Sequence, residues 1–242
     1  MSSDRTRGRL YAGTSGFSYP AWAPRFYAAG TRAADLLPTY AARLNACELN
    51  NTFYQQPKPP AIAGWLAATD PSFRFSVKAQ RGGSVRALFG GAIETIPWLT
   101  APYRLFGERL GTVLFRVPDP IKRDDDQLAQ LLEAWPADLP LTLEFQHESW
   151  HDDEVHGQLM RAGAALCATD LDELDPPDLR VTAPFVYLRL RRESYSDTEV
   201  EAWAARLEPF LEDGLDAFVF FRHDEDGQSP LRAERLRALL AA

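Results

Sequence analysis

Short apolar runs with a period of two alternate along this chain with longer stretches whose apolar positions recur every three to four residues. These are the patterns of strands and of one-sided helices. LYAG at Leu10–Gly13 opens the series and runs into the turn-rich TSGFSYP. ACELN ends near Asn50, FRFSVKA covers Phe73–Ala79, and TVLFRVP is stopped by Pro118. LTLEF at Leu141–Phe145, ALCATD, FVYLRLR at Phe185–Arg191 and AFVFFR at Ala217–Arg222 complete a set of eight. Helical spacing fills the intervals over Arg32–Leu44, Ala61–Ala68, Trp98–Arg109, Asp124–Trp135, Asp152–Ala162, Asp197–Leu211 and Leu231–Leu240. Leu171–Arg180 is short and contains prolines, which argues against a helix there.

Strands alternating with helices imply parallel pairing through right-handed crossovers. Eight such strands close on themselves and leave no edge. An open doubly wound sheet usually carries a GxGxxG or phosphate-binding loop after an early strand, and the early glycines here form only GTSG. The expectation is a slightly irregular TIM-type (β/α)₈ barrel, an α/β fold, forming one domain over residues 1–242.

Alternation also sorts the side chains of each strand. Phe73, Phe75 and Val77 share the face that meets the helices, which leaves Ser76 and Lys78 inward. The same parity turns Glu48 and Asn50 inward on the second strand, Arg116 on the fourth, and Thr142 and Glu144 on the fifth. Tyr187 and Arg189 follow on the seventh and Arg222 on the eighth. Asp170 ends the sixth strand, and its face stays open. The charges gather at the C-terminal strand ends, where barrel enzymes carry their chemistry. An ionised group in a barrel core is costly unless paired, so the set is either a self-satisfied ion network or a ligand site. Four basic groups facing two or three acids leave positive charge over, which favours an anionic ligand such as a phosphate or carboxylate.

The loop after the fifth strand, EFQHESW, adds a carboxylate, an imidazole and an indole within seven residues. Glu144 is a candidate general base and His147 a candidate general acid or base. Lys78 becomes a Schiff-base nucleophile if neighbouring cations lower its pKa. Each has a plainer reading: His147 as a helix cap, Trp150 as a packing anchor rather than an apolar wall of the site. Tyr19 and Trp22 either line the mouth or plug the barrel. Phe53, Tyr54 and His223 read first as loop residues, and Asp124–Asp126 as a helix N-terminus rather than a metal site.

Composition removes several alternatives. The net charge of −8 gives no basic face for nucleic acid or a membrane surface. Cys47 and Cys167 are far apart inside apolar runs, so two buried free thiols in a reducing cytoplasm are expected rather than a disulfide. The N-terminal MSSDRTRGRL has no apolar segment behind it and does not read as a signal peptide, and no run approaches the ~18 apolar residues of a membrane span. No motif specifies a cofactor or a metal.

The segments GTSGFSYPAW, ELNNTFYQQP, FRFSVKA, LEFQHESW and YLRLRRESYSD occur here in that order. Together they resemble the domain-of-unknown-function family 72, the YecE-like proteins, over about Leu10 to Leu240. The resemblance implies a TIM-type barrel and no defined activity. It aligns Glu48, Asn50, Lys78, Glu144, His147, Trp150, Asp170, Tyr187 and Arg189 with the family's recurring polar set. Two departures stand out: Arg116 where many relatives carry glutamine, and RLRR at Arg189–Arg192 where many read RLHG. Both point to a more anionic ligand.

The expected function is acid/base catalysis on a small anionic or sugar-like metabolite. Lys78, Glu144 and His147 would carry the chemistry, with Glu48, Asn50, Arg116, Trp150, Asp170, Tyr187, Arg189 and Arg222 binding substrate. The alternatives are a divalent-metal-dependent hydrolase or isomerase using Glu48, Glu144, Asp170 and His147, and a non-catalytic ligand-binding barrel.

Overall fold

A computed structural model describes residues 6–241. Met1–Arg5, where the reading of the N-terminal segment begins, and Ala242 lie outside the described residues. Eight parallel strands form one sheet: β1 (Leu10–Thr14), β2 (Ala46–Leu49), β3 (Arg74–Lys78), β4 (Leu110–Val117), β5 (Leu141–Phe145), β6 (Ala165–Asp170), β7 (Phe185–Leu190) and β8 (Asp216–Phe221). They follow the order β1-β8-β7-β6-β5-β4-β3-β2, so β1 and β2 stand at the two ends of the ladder. Those ends meet. A bridge joins Ser15 to Glu48, and the Gly16 amide donates to the Glu48 carbonyl at 2.8 Å. The fold is a nearly closed TIM-type barrel, as the strand count predicted.

Side chains do much of the work of closing the β1–β2 seam. Asn45 accepts from the Ala12 amide at 3.0 Å and donates to the Leu10 carbonyl at 2.7 Å. The Tyr40 hydroxyl accepts from the Thr14 amide at 2.8 Å and donates to the Ala46 carbonyl at 3.0 Å. Gly13 permits the close approach: a Cβ built there would lie 1.9 Å from the Ala46 carbonyl oxygen.

The helices are α1 (Leu36–Ala41), α2 (Pro59–Ala67), α3 (Arg81–Gly90), α4 (Ala92–Thr100), α5 (Asp125–Ala134), α6 (Asp153–Ala162), α7 (Asp197–Glu212) and α8 (Gln228–Leu239). Local signals fix several of their starts. Asp124 and Asp152 cap α5 and α6, and Ser196 with Glu199 forms a reciprocal capping box on α7.

Two expectations need correction. The helix expected at Trp98–Arg109 is instead α4 followed by tighter turns over Tyr103–Arg109, and α3 precedes it unannounced. Gly82, Gly83, Gly90 and Gly91 depress helix propensity there, and Pro97 falls inside α4, so tertiary packing overrides the local signal. The helix expected over Arg32–Leu44 shortens to α1 behind a 3₁₀ turn. Leu171–Arg180 has no helix, in keeping with its prolines.

Tyr11, Leu114, Phe185, Phe218 and Phe220 pack inside the lower barrel, with Tyr11 and Phe218 stacked at 4.8 Å. This apolar plug is why the polar cavity opens only at the upper end. Both cysteines are free and buried, but Cys47 packs against the helices and Cys167 inside the barrel. No described helix is long and apolar enough to cross a membrane.

Candidate functional site

Strand parity brings Glu48, Lys78, Glu144, Tyr187 and Arg189 to the upper end of the barrel. All five are buried; Lys78 is the most open, at 8% exposure. Arg189 is the hub. It donates to Glu48 Oε1 at 2.8 Å and to Glu144 Oε1 at 2.6 Å. Glu48 also accepts from Ser15 Oγ at 2.7 Å and, on its other oxygen, from the Tyr187 hydroxyl at 2.7 Å. Thr169 approaches Glu144 Oε1 at 3.3 Å.

Burial alone would push both carboxyls up, but the surrounding cations outweigh it. Arg189, then Arg191 and Lys78, hold Glu48 at about 2. The charge and hydrogen bond of Arg189, with Lys78 beyond, hold Glu144 below its ordinary value. Both are therefore ionised near neutral pH. Lys78 responds the other way: burial first, and then Arg189, bring it down to about 8, against the partial support of Glu48 and Glu144. Its Nζ sits 4.5 Å from the centroid of the Phe53 ring, and it makes no hydrogen bond or ion pair among the described residues. Lys78 is thus the cavity group whose proton is shared most evenly near neutral pH.

Arg116 lies beside Glu144 at 3.5 Å, too distant for a strong hydrogen bond. Arg116 Nε, Glu144 Oε2, Arg189 Nε and Ser76 Oγ are buried without a protein partner. Four such atoms at one end of a barrel are unusual, since buried polar groups are nearly always satisfied. Arg191, which sequence parity had not brought into the site, belongs here too. It is half-buried, donates to Ser15 Oγ at 3.1 Å, and has its pKa lowered by burial and then by Arg189. Its signal was available: it stands two residues beyond Arg189, as Ser15 stands two beyond Gly13. Arg222 is exposed at the rim. Asn50 is half-buried just past the end of β2.

Three predicted site residues are placed elsewhere. Asp170 points outward to α7, because Cys167 and Thr169 take the inward positions of β6. It accepts from Arg192 Nε and the Tyr195 hydroxyl, both at 2.9 Å, and from Trp203 Nε1 at 3.2 Å. Trp150 is fully buried behind β5, stacked on Phe145 at 4.6 Å, and donates to the Ile121 carbonyl. His147 caps the 3₁₀ turn Glu148–Trp150, accepting from the Ser149 amide at 3.1 Å, and has no bond to Glu144. Trp22 neither lines the mouth nor plugs the barrel but is fully buried against Phe26 and Tyr27 outside the strands, while Tyr19 stacks on His223, 4.9 Å away.

With Asp170 paired to Arg192 outside, the cavity holds Lys78, Arg116, Arg189 and Arg191 against Glu48 and Glu144, with Arg222 at its rim. Two hollows adjoin this cluster. One, of 190 Å³, is lined by Phe53, Arg81, Val85, Arg116 and Pro118. The other, of 440 Å³, opens where β5 and β6 diverge beyond Leu143 and Leu166. Glu144, Cys167 and Thr169 lie on its inner side, with Leu171, Leu174 and Pro177 of the helix-free connection above. A larger cavity of 750 Å³ lies at the opposite, N-terminal end, around Arg74, Gly111 and Phe218. It touches none of the charged cluster, and chemistry in this fold resides at the other face.

The sequence profile described as "Protein of unknown function DUF72" matches residues 11–242. The chain belongs to the DUF72 family. A DUF72 family protein of Thermotoga maritima superposes with a TM-score of 0.85 at 25% identity, covering 97% of this chain and 100% of the other. A DUF72 family protein of Enterococcus faecalis gives a TM-score of 0.76 at 18% identity, covering 98% and 99%, and supports the fold alone. A search of curated proteins gives no match. Within this DUF72 barrel, the charge imbalance of the cavity is what bears on function.

Proposed function

We propose that this DUF72 barrel is an enzyme for a small anionic metabolite, with Lys78 as the group that exchanges a proton with it. The observation that carries this reading is the surplus of cations over carboxylates in a cavity where, among the described residues, the carboxylates of Glu48 and Glu144 are already bound by Arg189. Arg116, Arg191 and Lys78 hold the anion. Glu48 and Glu144 keep Arg189 in place and, being held ionised, serve as acceptors rather than as acids. The hollow of 190 Å³ beside Arg116 is smaller than the ~300–1,000 Å³ of drug-sized ligand sites, which suits a small metabolite.

The metal-dependent alternative requires Glu48, Glu144, Asp170 and His147 to converge. Asp170 and His147 are held outside the cavity by other partners, and Arg189 occupies the space between the two glutamates.

Calorimetry with inorganic phosphate and with oxalate tests the proposal. Lys78 is charged below about 8, so anion affinity should fall as the pH rises through that value. Lys78→Met and Arg191→Met should each weaken binding about tenfold or more, the worth of one charge-assisted contact. A metabolite screen with Lys78 and Glu144 substituted separately then separates an enzyme from a passive binder. Absence of phosphate and oxalate binding near neutral pH, or binding indifferent to both substitutions, would sink the reading.

A further inference from the structure

We infer that Lys78 forms an iminium with the carbonyl carbon of a small 2-oxo acid whose carboxylate rests against Arg116. The inference rests on the anion-binding reading above and adds the bond that Lys78 makes.

The chain carries 23 arginines and three lysines, Lys58, Lys78 and Lys122. Lys58 and Lys122 are exposed; Lys78 alone is buried, at the C-terminal end of a barrel strand. Every other cation of the cavity is an arginine, a permanent charge with a rigid fork. A lysine in the same place can give up its proton. Burial favours that loss first and Arg189 adds to it, with a smaller push from Arg116, while Glu48 and Glu144 oppose it from a distance without an ion pair to the ammonium. The Phe53 ring under Nζ steadies the ammonium as a cation–π partner, yet it offers no acceptor, so the nitrogen lone pair is unengaged once the proton departs. With the pKa at about 8, about a tenth of the amine is free near neutral pH, against a far smaller share for an exposed lysine.

Phe53 and Arg116 also wall the hollow of 190 Å³. Lys78 does not line that hollow itself but shares its Phe53 wall, so an acid with its carboxylate on the planar Arg116 guanidinium would have to present its adjacent carbonyl to Lys78 across that ring. The amine nitrogen adds to the carbonyl carbon as the C=O π bond opens onto oxygen. The carbinolamine then loses that oxygen as water. Counted from the ammonium, two of its three protons leave with the oxygen and one remains on the iminium nitrogen, so no oxidant or other reactant is needed.

The test is reductive trapping. The intact protein is incubated with pyruvate or glyoxylate and cyanoborohydride, digested, and mapped by mass spectrometry. Hydride delivered to the iminium carbon leaves a stable secondary amine on the modified lysine. Lys78 should be labelled about tenfold or more over Lys58 and Lys122, which serve as internal controls. Lys78→Arg should remove that adduct and leave the background on the other two. Equal labelling of the three lysines, or none on Lys78, overturns the inference, and wild-type mapping decides this even if the variant fails to fold. Oxalate calorimetry separates the two levels. Oxalate binding without a Lys78 adduct defeats the iminium alone, whereas no oxalate binding defeats the anion site as well.

Discussion

Arg189→Met puts the central ion cluster to a direct test. The guanidinium spans two buried carboxylates, and methionine fills similar space without charge. Glu48 held at about 2 rather than 4.5 corresponds to about 3 kcal/mol of favourable interaction at neutral pH. Breaking a buried pair by removing one partner typically costs about 3–5 kcal/mol, a large part of the ~5–15 kcal/mol that stabilises an ordinary domain. The expected loss at pH 7 is therefore about 3–5 kcal/mol.

The pH dependence is the sharper signature. Folding lowers the Glu48 pKa, so the stability it contributes is complete above about 4.5 and is lost as the pH falls from there to about 2. Without Arg189, burial and mutual repulsion raise the pKa of both carboxyls, and acid relieves the variant by protonating them. The gap between the two proteins should be widest near pH 7 and shrink through the acid range. Urea unfolding followed by tryptophan fluorescence measures it at each pH. A loss below about 1 kcal/mol at neutral pH, or a gap that does not change with pH, would refute the account of Arg189 as the hub.

Two further substitutions probe the frame around the site. Asp170→Ala strips the acceptor from Arg192, Tyr195 and Trp203, and should cost about 3 kcal/mol in urea unfolding. Because Asp170 faces α7, phosphate affinity measured by calorimetry should stay within about twofold of the parent, a change worth less than ~0.5 kcal/mol. Gly13→Ala drives a methyl into the Ala46 carbonyl and within 2.6 Å of the Tyr40 hydroxyl, so it should destabilise by about 1–3 kcal/mol. Gly64→Ala, in α2 with nothing within 4 Å of the new Cβ, should instead gain about 0.5–1 kcal/mol, and the pair compared by thermal melts isolates the seam from the general effect of removing a glycine.

Parity along the strands was enough to find Glu48, Lys78, Glu144, Tyr187 and Arg189, because a period of two is rigid over four to six residues. It stopped helping where strands end. Asp170 is the last residue of β6, and ALCATD does not itself show which parity faces inward; with Cys167 and Thr169 inward, Asp170 turns out to Tyr195 and Trp203. Trp150 and His147 sit beyond β5, where the chain turns away from the barrel axis within a few residues. Arg191 has the parity of Arg189, which was the available signal, but it lies one residue past β7, where parity no longer guarantees an inward side chain. The glycine-rich α3 escaped for the opposite reason: its helicity comes from the surrounding structure rather than from its own residues.

The β1–β2 seam has one more consequence. Most amides of the barrel wall are guarded by a neighbouring strand, but those of Ala12 and Thr14 are guarded by Asn45 and Tyr40. Swinging two side chains away is a smaller event than parting two strands, so these amides should exchange their hydrogens with solvent through local breathing, ahead of the rest of the wall. Glu48 anchors that same seam through Ser15. A ligand that tightens the charge cluster would slow the breathing, and exchange at Ala12 and Thr14 would register an occupant of the cavity before its chemistry is known.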